Sequence, residues 1–102
     1  MKECCRKYLS DQFGGDEAVV GEIYDEYASS THQKIRAASK ALSDEDWTQL
    51  DRVAHTLKGN ALAAGDTEMA DTAISLRKAA ALKDSGEATS LIAKMDDLSK
   101  EL

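Results

Sequence analysis

Leu50-Asp51-Arg52-Val53-Ala54-His55-Thr56-Leu57-Lys58-Gly59-Asn60-Ala61-Leu62-Ala63-Ala64-Gly65 is the stretch whose periodicity decides the fold. Advance about 100° per residue from Leu50, and Val53, Ala54, Leu57, Ala61 and Ala64 all fall within about 60° of it. That is one complete apolar stripe of an amphipathic helix. Gly65 ends it, being the residue type most often found just past a helix terminus. Upstream, Ser43 is a suitable N-cap, and Asp44, Glu45 and Asp46 put negative charge where the helix dipole favours it. The spacing therefore predicts a helix over 44–64.

The flanking segments carry the same period. Val19, Val20, Ile23, Tyr24, Tyr27, Ala28, Thr31, Ile35, Ala38 and Leu42 recur at three- and four-residue spacing, which predicts a long helix over 16–42. Met69, Ala70, Ala73, Leu76 and Ala80 predict a helix over 67–83, closed by Asp84-Ser85-Gly86. Ala88, Leu91, Ile92, Met95 and Leu98 predict a last one over 87–101. Gly14-Gly15 confines residues 2–12 to a short leading helix. The expected fold is all-α: an antiparallel up-and-down four-helix bundle whose short N-terminal helix covers one end. A chain of 102 residues with no proline and 5% aromatics suits this single domain, 1–102, since helix interiors reject proline and strands favour aromatics.

Charge excludes several classes of partner. Thirteen Lys and Arg face 19 Asp and Glu, a net charge of -6, and no cationic cluster is visible along the chain. A nucleic-acid backbone is therefore not an expected partner. No stretch approaches the roughly 20 apolar residues of a spanning helix, and the N-terminus lacks a signal peptide's apolar core. A cytoplasmic chain with no membrane association is expected. Met1 and the lack of a linker-like N-terminus favour a free-standing protein. The only cysteines, Cys4 and Cys5, are adjacent and read as reduced thiols.

The face of the 44–64 helix that leaves the core carries the chemistry. His55 lies at about 140° from Leu50 and Gly59 at about 180°, so both point outward. Thr48, Asp51, Arg52 and Leu62 share that face, and Lys58 borders it. A lone surface histidine carries no signal, and His32, which has no companions, is read so. His55 has companions. Glycine within a helix costs about 1 kcal/mol relative to alanine, and an exposed site gives no packing reason for it. Gly59 instead removes a side chain one turn from the imidazole, so that another molecule can come down on the ring. Lys58, three residues from His55, is placed to meet phosphoryl oxygens. Leu62 adds an apolar contact, and with Thr48, Asp51 and Arg52 makes a candidate partner-binding patch. A metal enzyme of the bundle type needs inward-facing Glu-x-x-His pairs, which are missing; no metal is expected.

The segment Ala54-His55-Thr56-Leu57-Lys58-Gly59-Asn60-Ala61, with Gly65 beyond it, resembles the histidine-containing phosphotransfer domain family. Phe13-Gly14-Gly15-Asp16-Glu17 resembles that family's entry to its second helix, and Asp46-Trp47 the turn into its histidine helix. The resemblance covers about residues 8 to 100. It implies that His55 accepts a phosphoryl group, with Lys58 and Gly59 in support. It also implies receiver domains, of response regulators or hybrid sensor kinases, as partners that carry their own magnesium. No cofactor is expected on this chain, which is expected to be monomeric. Leu76-Arg77-Lys78 departs from the family, many of whose members have an acidic residue after the leucine, and Asn60 stands where many have serine. The chain has no glycine-rich phosphate loop, so self-phosphorylation from ATP is not expected. The expected activity is a phosphorelay between receiver aspartates; the alternative is an adaptor that binds receivers without relaying.

Overall fold

Four of the five helices open on an aspartate whose carboxylate accepts hydrogen bonds from backbone N–H groups that have no partner inside the helix. The computed structural model describes residues 1–102 as α1 (Glu3–Gln12), α2 (Glu17–Ser43), α3 (Trp47–Ala64), α4 (Thr67–Leu82) and α5 (Ser85–Ser99), with no strand. Asp16, Asp46, Asp66 and Asp84 cap α2 to α5.

Two helix starts differ from the sequence expectation by two or three residues, and α5 ends at Ser99 instead of 101. Ser43 does not cap α3; it is the last residue of α2, and Asp44 and Glu45 form the connection and not a first turn. The last turn of α2 is held by the Asp44 N–H on the Lys40 carbonyl and by the Lys40–Asp44 ion pair at 3.1 Å. Glu45 then turns the chain with a φ of 54°, and the Asp46 carboxylate accepts from the Gln49 N–H at 3.1 Å. A carboxylate one turn nearer the core stripe thus replaces the hydroxyl as cap. At the other end, α5 starts at Ser85 and not at 87. Lys83, with a φ of 53°, ends α4, Asp84 caps α5, and Gly86 falls in the first turn of α5 instead of breaking the chain.

The buried side of α3 consists of Leu50, Val53, Ala54, Leu57, Ala61 and Ala64, the same stripe that the periodicity defines. α2 packs on α3 and α5, and α4 packs on α3 and α5, so that these four helices enclose one core. Val20, Tyr24, Tyr27 and Ile35 enter it from α2, Met69, Ala73 and Leu76 from α4, and Ala88, Ile92 and Met95 from α5. At about 1.5 Å per residue, the 27 residues of α2 span about 40 Å, and this helix sets the long axis of the 42 × 20 × 18 Å molecule. No helix is long and apolar enough to cross a membrane.

α1 lies against α2 and α3 and buries Cys5 and Leu9. It is fastened by Asp66, which is fully buried. The Asp66 carboxylate accepts from Tyr27 Oη at 2.7 Å, from Lys2 Nζ at 3.0 Å and from the Met69 N–H at 3.4 Å. Lys2 also donates its backbone N–H to Tyr24 Oη at 3.1 Å. The site satisfies the carboxylate three times over, which is what lets a buried ion pair persist. Burial works to lower the Lys2 pKa, but the hydrogen bond and charge of Asp66 outweigh it and the ammonium is held above its ordinary value. Burial, reinforced by Asp66, pushes the Tyr27 hydroxyl upward, and burial does the same to Tyr24. Burial, with Cys4 beside it, pushes the Cys5 thiol up to about 12. Gly65 completes the joint: its φ of 75° ends α3, and a side chain there would overlap Tyr8 of α1.

Candidate functional site

Because the apolar stripe of α3 is turned to the core, its opposite side is presented to solvent over the full helix. His55 and Gly59 are exposed on it, as are Thr48, Arg52 and Leu62; Lys58 and Asp51 are half-buried. Leu62 is 52% exposed, large for a leucine, and shares a surface depression with Lys7 and Tyr8 of α1. A β-carbon added at Gly59 would meet nothing within 4 Å. The helix therefore gains nothing structural from the glycine, and the space beside the imidazole is open. Lys58 makes no ion pair, which leaves its ammonium available to an incoming anion. Asn60 donates to Ser30 Oγ at 3.1 Å and ties this part of α3 to α2.

Two features of the site lie outside the sequence reading. Arg77 of α4 reaches across to α3, where its Nε donates to Asp51 Oδ1 at 3.0 Å and its Nη1 stands 3.2 Å from His55 Nδ1. Asp51 is therefore engaged within the chain through Oδ1, while its side chain stays 45% exposed. The second feature follows from the first. Arg52 precedes His55 by three residues and Lys58 follows it by three, so both neighbour the ring on the helix surface. Arg77 adds a third cation from α4, the one in direct contact with the imidazole, in a chain of net charge -6. No such cluster is visible along the chain because one of its members comes from another helix.

His32, half-buried on α2, takes no part in this arrangement, and no group of three His, Cys, Asp or Glu side chains is placed to hold a metal ion. A surface cavity of about 620 Å³ lies between α2 and α5, lined by Ile35, Leu42 and Ile92 among others, and contains none of the residues around His55.

The site thus joins an exposed histidine in mid-helix, an open glycine one turn on and the Arg77 contact from α4. The family model described as Hpt domain matches residues 22–102, from α2 to the C-terminus. The chain belongs to the Hpt domain family. Hpt domains are phosphocarrier modules and not kinases; they take part in phosphorelay signalling and interact with receiver domains. The match omits α1 and includes every residue singled out around His55. Neither the curated proteins nor the solved structures gave a match to the chain.

Proposed function

We propose that this Hpt domain relays a phosphoryl group between receiver-domain aspartates by way of phosphohistidine at His55. The observation that carries the reading is the exposed imidazole in mid-α3, with open space at Gly59 and with no hydrogen-bond partner on Nε2. Nε2 attacks the phosphorus of an aspartyl phosphate on a docked receiver, and the carboxylate of that receiver leaves. A second receiver's aspartate later reverses the step. Lys58 attracts the phosphoryl oxygens as they pass. Phosphoryl transfer depends largely on alignment and on neutralising charge, so a histidine on a rigid helix suffices when the receiver supplies the magnesium.

The partners are receiver domains of response regulators or hybrid sensor kinases. They contact Thr48, Arg52 and Leu62, with Tyr8 extending the apolar part of the patch. The scaffold is a four-helix bundle of antiparallel neighbours with α1 over one end. Contacts between residues 27 and 66 and between 30 and 60 support opposite directions for α2 and α3. The chain works as a monomer in the cytoplasm, binds neither nucleic acid nor membrane, needs no cofactor of its own and does not phosphorylate itself from ATP.

The test is to mix the purified chain with a phosphorylated receiver. A relay acquires an acid-labile, base-stable phosphoryl group that is lost in His55→Gln without change in the melting curve. A chain that binds the receiver yet stays unphosphorylated is an adaptor, and the proposal fails.

A further inference from the structure

The guanidinium of Arg77 has only donors, so at 3.2 Å from His55 Nδ1 it makes that nitrogen the acceptor. The proton of the neutral ring must then sit on Nε2. A nitrogen bearing that proton has its electron pair in the ring's π system and cannot attack phosphorus. The nitrogen with a free pair, Nδ1, is the one that Arg77 covers. The resting arrangement is therefore unreactive at both positions.

We propose that Arg77 is a positioning residue that latches His55 in its two resting states and must release Nδ1 for transfer in either direction. The inference rests on the relay reading above and concerns the regulation of the same site. With Arg77 withdrawn, water moves the ring proton from Nε2 to Nδ1, and Nε2 gains a free electron pair. That pair attacks the phosphorus of the receiver's aspartyl phosphate. The P–O bond breaks and its electrons go to the receiver's carboxylate, leaving a phosphorylated, cationic ring with a proton on Nδ1. This proton passes to water, and the neutral phosphohistidine again offers a bare Nδ1 to Arg77. Onward transfer needs that nitrogen reprotonated, because the departing group is then a neutral imidazole and not an imidazolate. A guanidinium on Nδ1 opposes reprotonation and so preserves the phosphoryl group until a receiver arrives.

Asp51 makes the latch reversible. Arg77 is bound to it through Nε and meets the ring through Nη1, so the ring contact can open while the ion pair persists. Both side chains are partly exposed, at 37% and 45%, which keeps the contact weak enough for a docking partner to break. Charge also favours release, since a receiver's acidic site competes for the same guanidinium.

Two measurements on the full chain test the latch, using Arg77→Met, which removes the donor, and Arg77→Glu, which replaces it with an acceptor. Long-range nitrogen–proton correlation spectra of the neutral His55 ring should show the Nε2–H form dominant in the wild type. A mixture is expected in Arg77→Met, and mainly Nδ1–H in Arg77→Glu. The chain is then phosphorylated with phosphoramidate, which needs no receiver, and followed by phosphorus NMR. The wild type should carry the group on Nε2 and lose it to water more slowly than Arg77→Met, by roughly threefold to tenfold, the range expected of a partly exposed charged hydrogen bond. Equal tautomer populations and equal decay rates in all three chains would overturn the latch and leave the relay standing. If His55 takes up no phosphoryl group even in the wild type, from phosphoramidate or from a receiver, the relay falls and the latch with it.

Discussion

Replacing Gly59 separates what the fold wants from what the site wants. A methyl group at this position meets no atom within 4 Å, so Gly59→Ala introduces no clash. Alanine is favoured over glycine inside a helix by about 1 kcal/mol, and Gly59 lies well within α3. For a domain of this size that gain raises the melting temperature by roughly 4–8 °C. If a receiver descends on the space beside His55, the same methyl group holds it back by a large part of an ångström. Misplacement of reacting atoms by about 1 Å can cost on the order of a hundredfold in rate. The assay pairs thermal melts with the initial rate of phosphoryl transfer from a labelled receiver. The expected outcome is a more stable, slower protein, with Gly59→Glu slower still through bulk and charge. A stabilised variant that transfers at the wild-type rate would refute the close-approach argument and leave the glycine unexplained.

The remaining expectations concern Lys58 and the N-terminal joint. Lys58→Ala should slow transfer by roughly tenfold, the value of one charge-assisted contact, while melting stays within about 0.5 kcal/mol of the wild type. An unaltered rate would reduce Lys58 to a solvated surface group. Lys2, Cys5, Tyr24 and Tyr27 all have pKa values raised on folding, from ordinary values of 10.5, 9.0 and, for both tyrosines, 10.0. The folded chain consequently retains protons that the unfolded chain has released. Their stabilising contribution is complete below about pH 9 and is lost as pH rises beyond it. Denaturant titrations at rising alkaline pH should show falling stability, and Lys2→Met should flatten that slope; a slope unchanged by Lys2→Met would remove Lys2 from the joint.

How much was legible in the sequence depended on whether one helix or two had to be known. The α3 stripe from Leu50 to Ala64 and the outward placement of His55 and Gly59 follow from a 3.6-residue period alone, with no need of a neighbour. Helix starts were harder because Ser43, Asp44 and Asp46 are all competent caps. Only the path of the chain out of α2, through the positive φ of Glu45, selects Asp46. Gly86 misled for a similar reason, since a glycine can break a helix or sit in its first turn. Arg77 could not be placed at all. It lies beside the core residue Leu76, and whether that flank faces α3 or α5 depends on how the helices are arranged around the core. The departure from the family pattern at Arg77 marked the position without revealing that it meets His55. Asp66 caps the helix predicted over 67–83, but its burial depends on Lys2 and Tyr27, 64 and 39 residues away in sequence.

On the proposed relay, His55 is a station through which phosphate passes in both directions. The most direct measurement is a chase: phosphorylate the chain from one receiver, isolate it, locate the phosphorus by NMR and fragmentation mass spectrometry, then add a second, unphosphorylated receiver with magnesium. The expected result is one phosphoryl group on Nε2 of His55, discharged onto the second receiver's aspartate. A group found on another residue, or one on His55 that no receiver can remove, would contradict it.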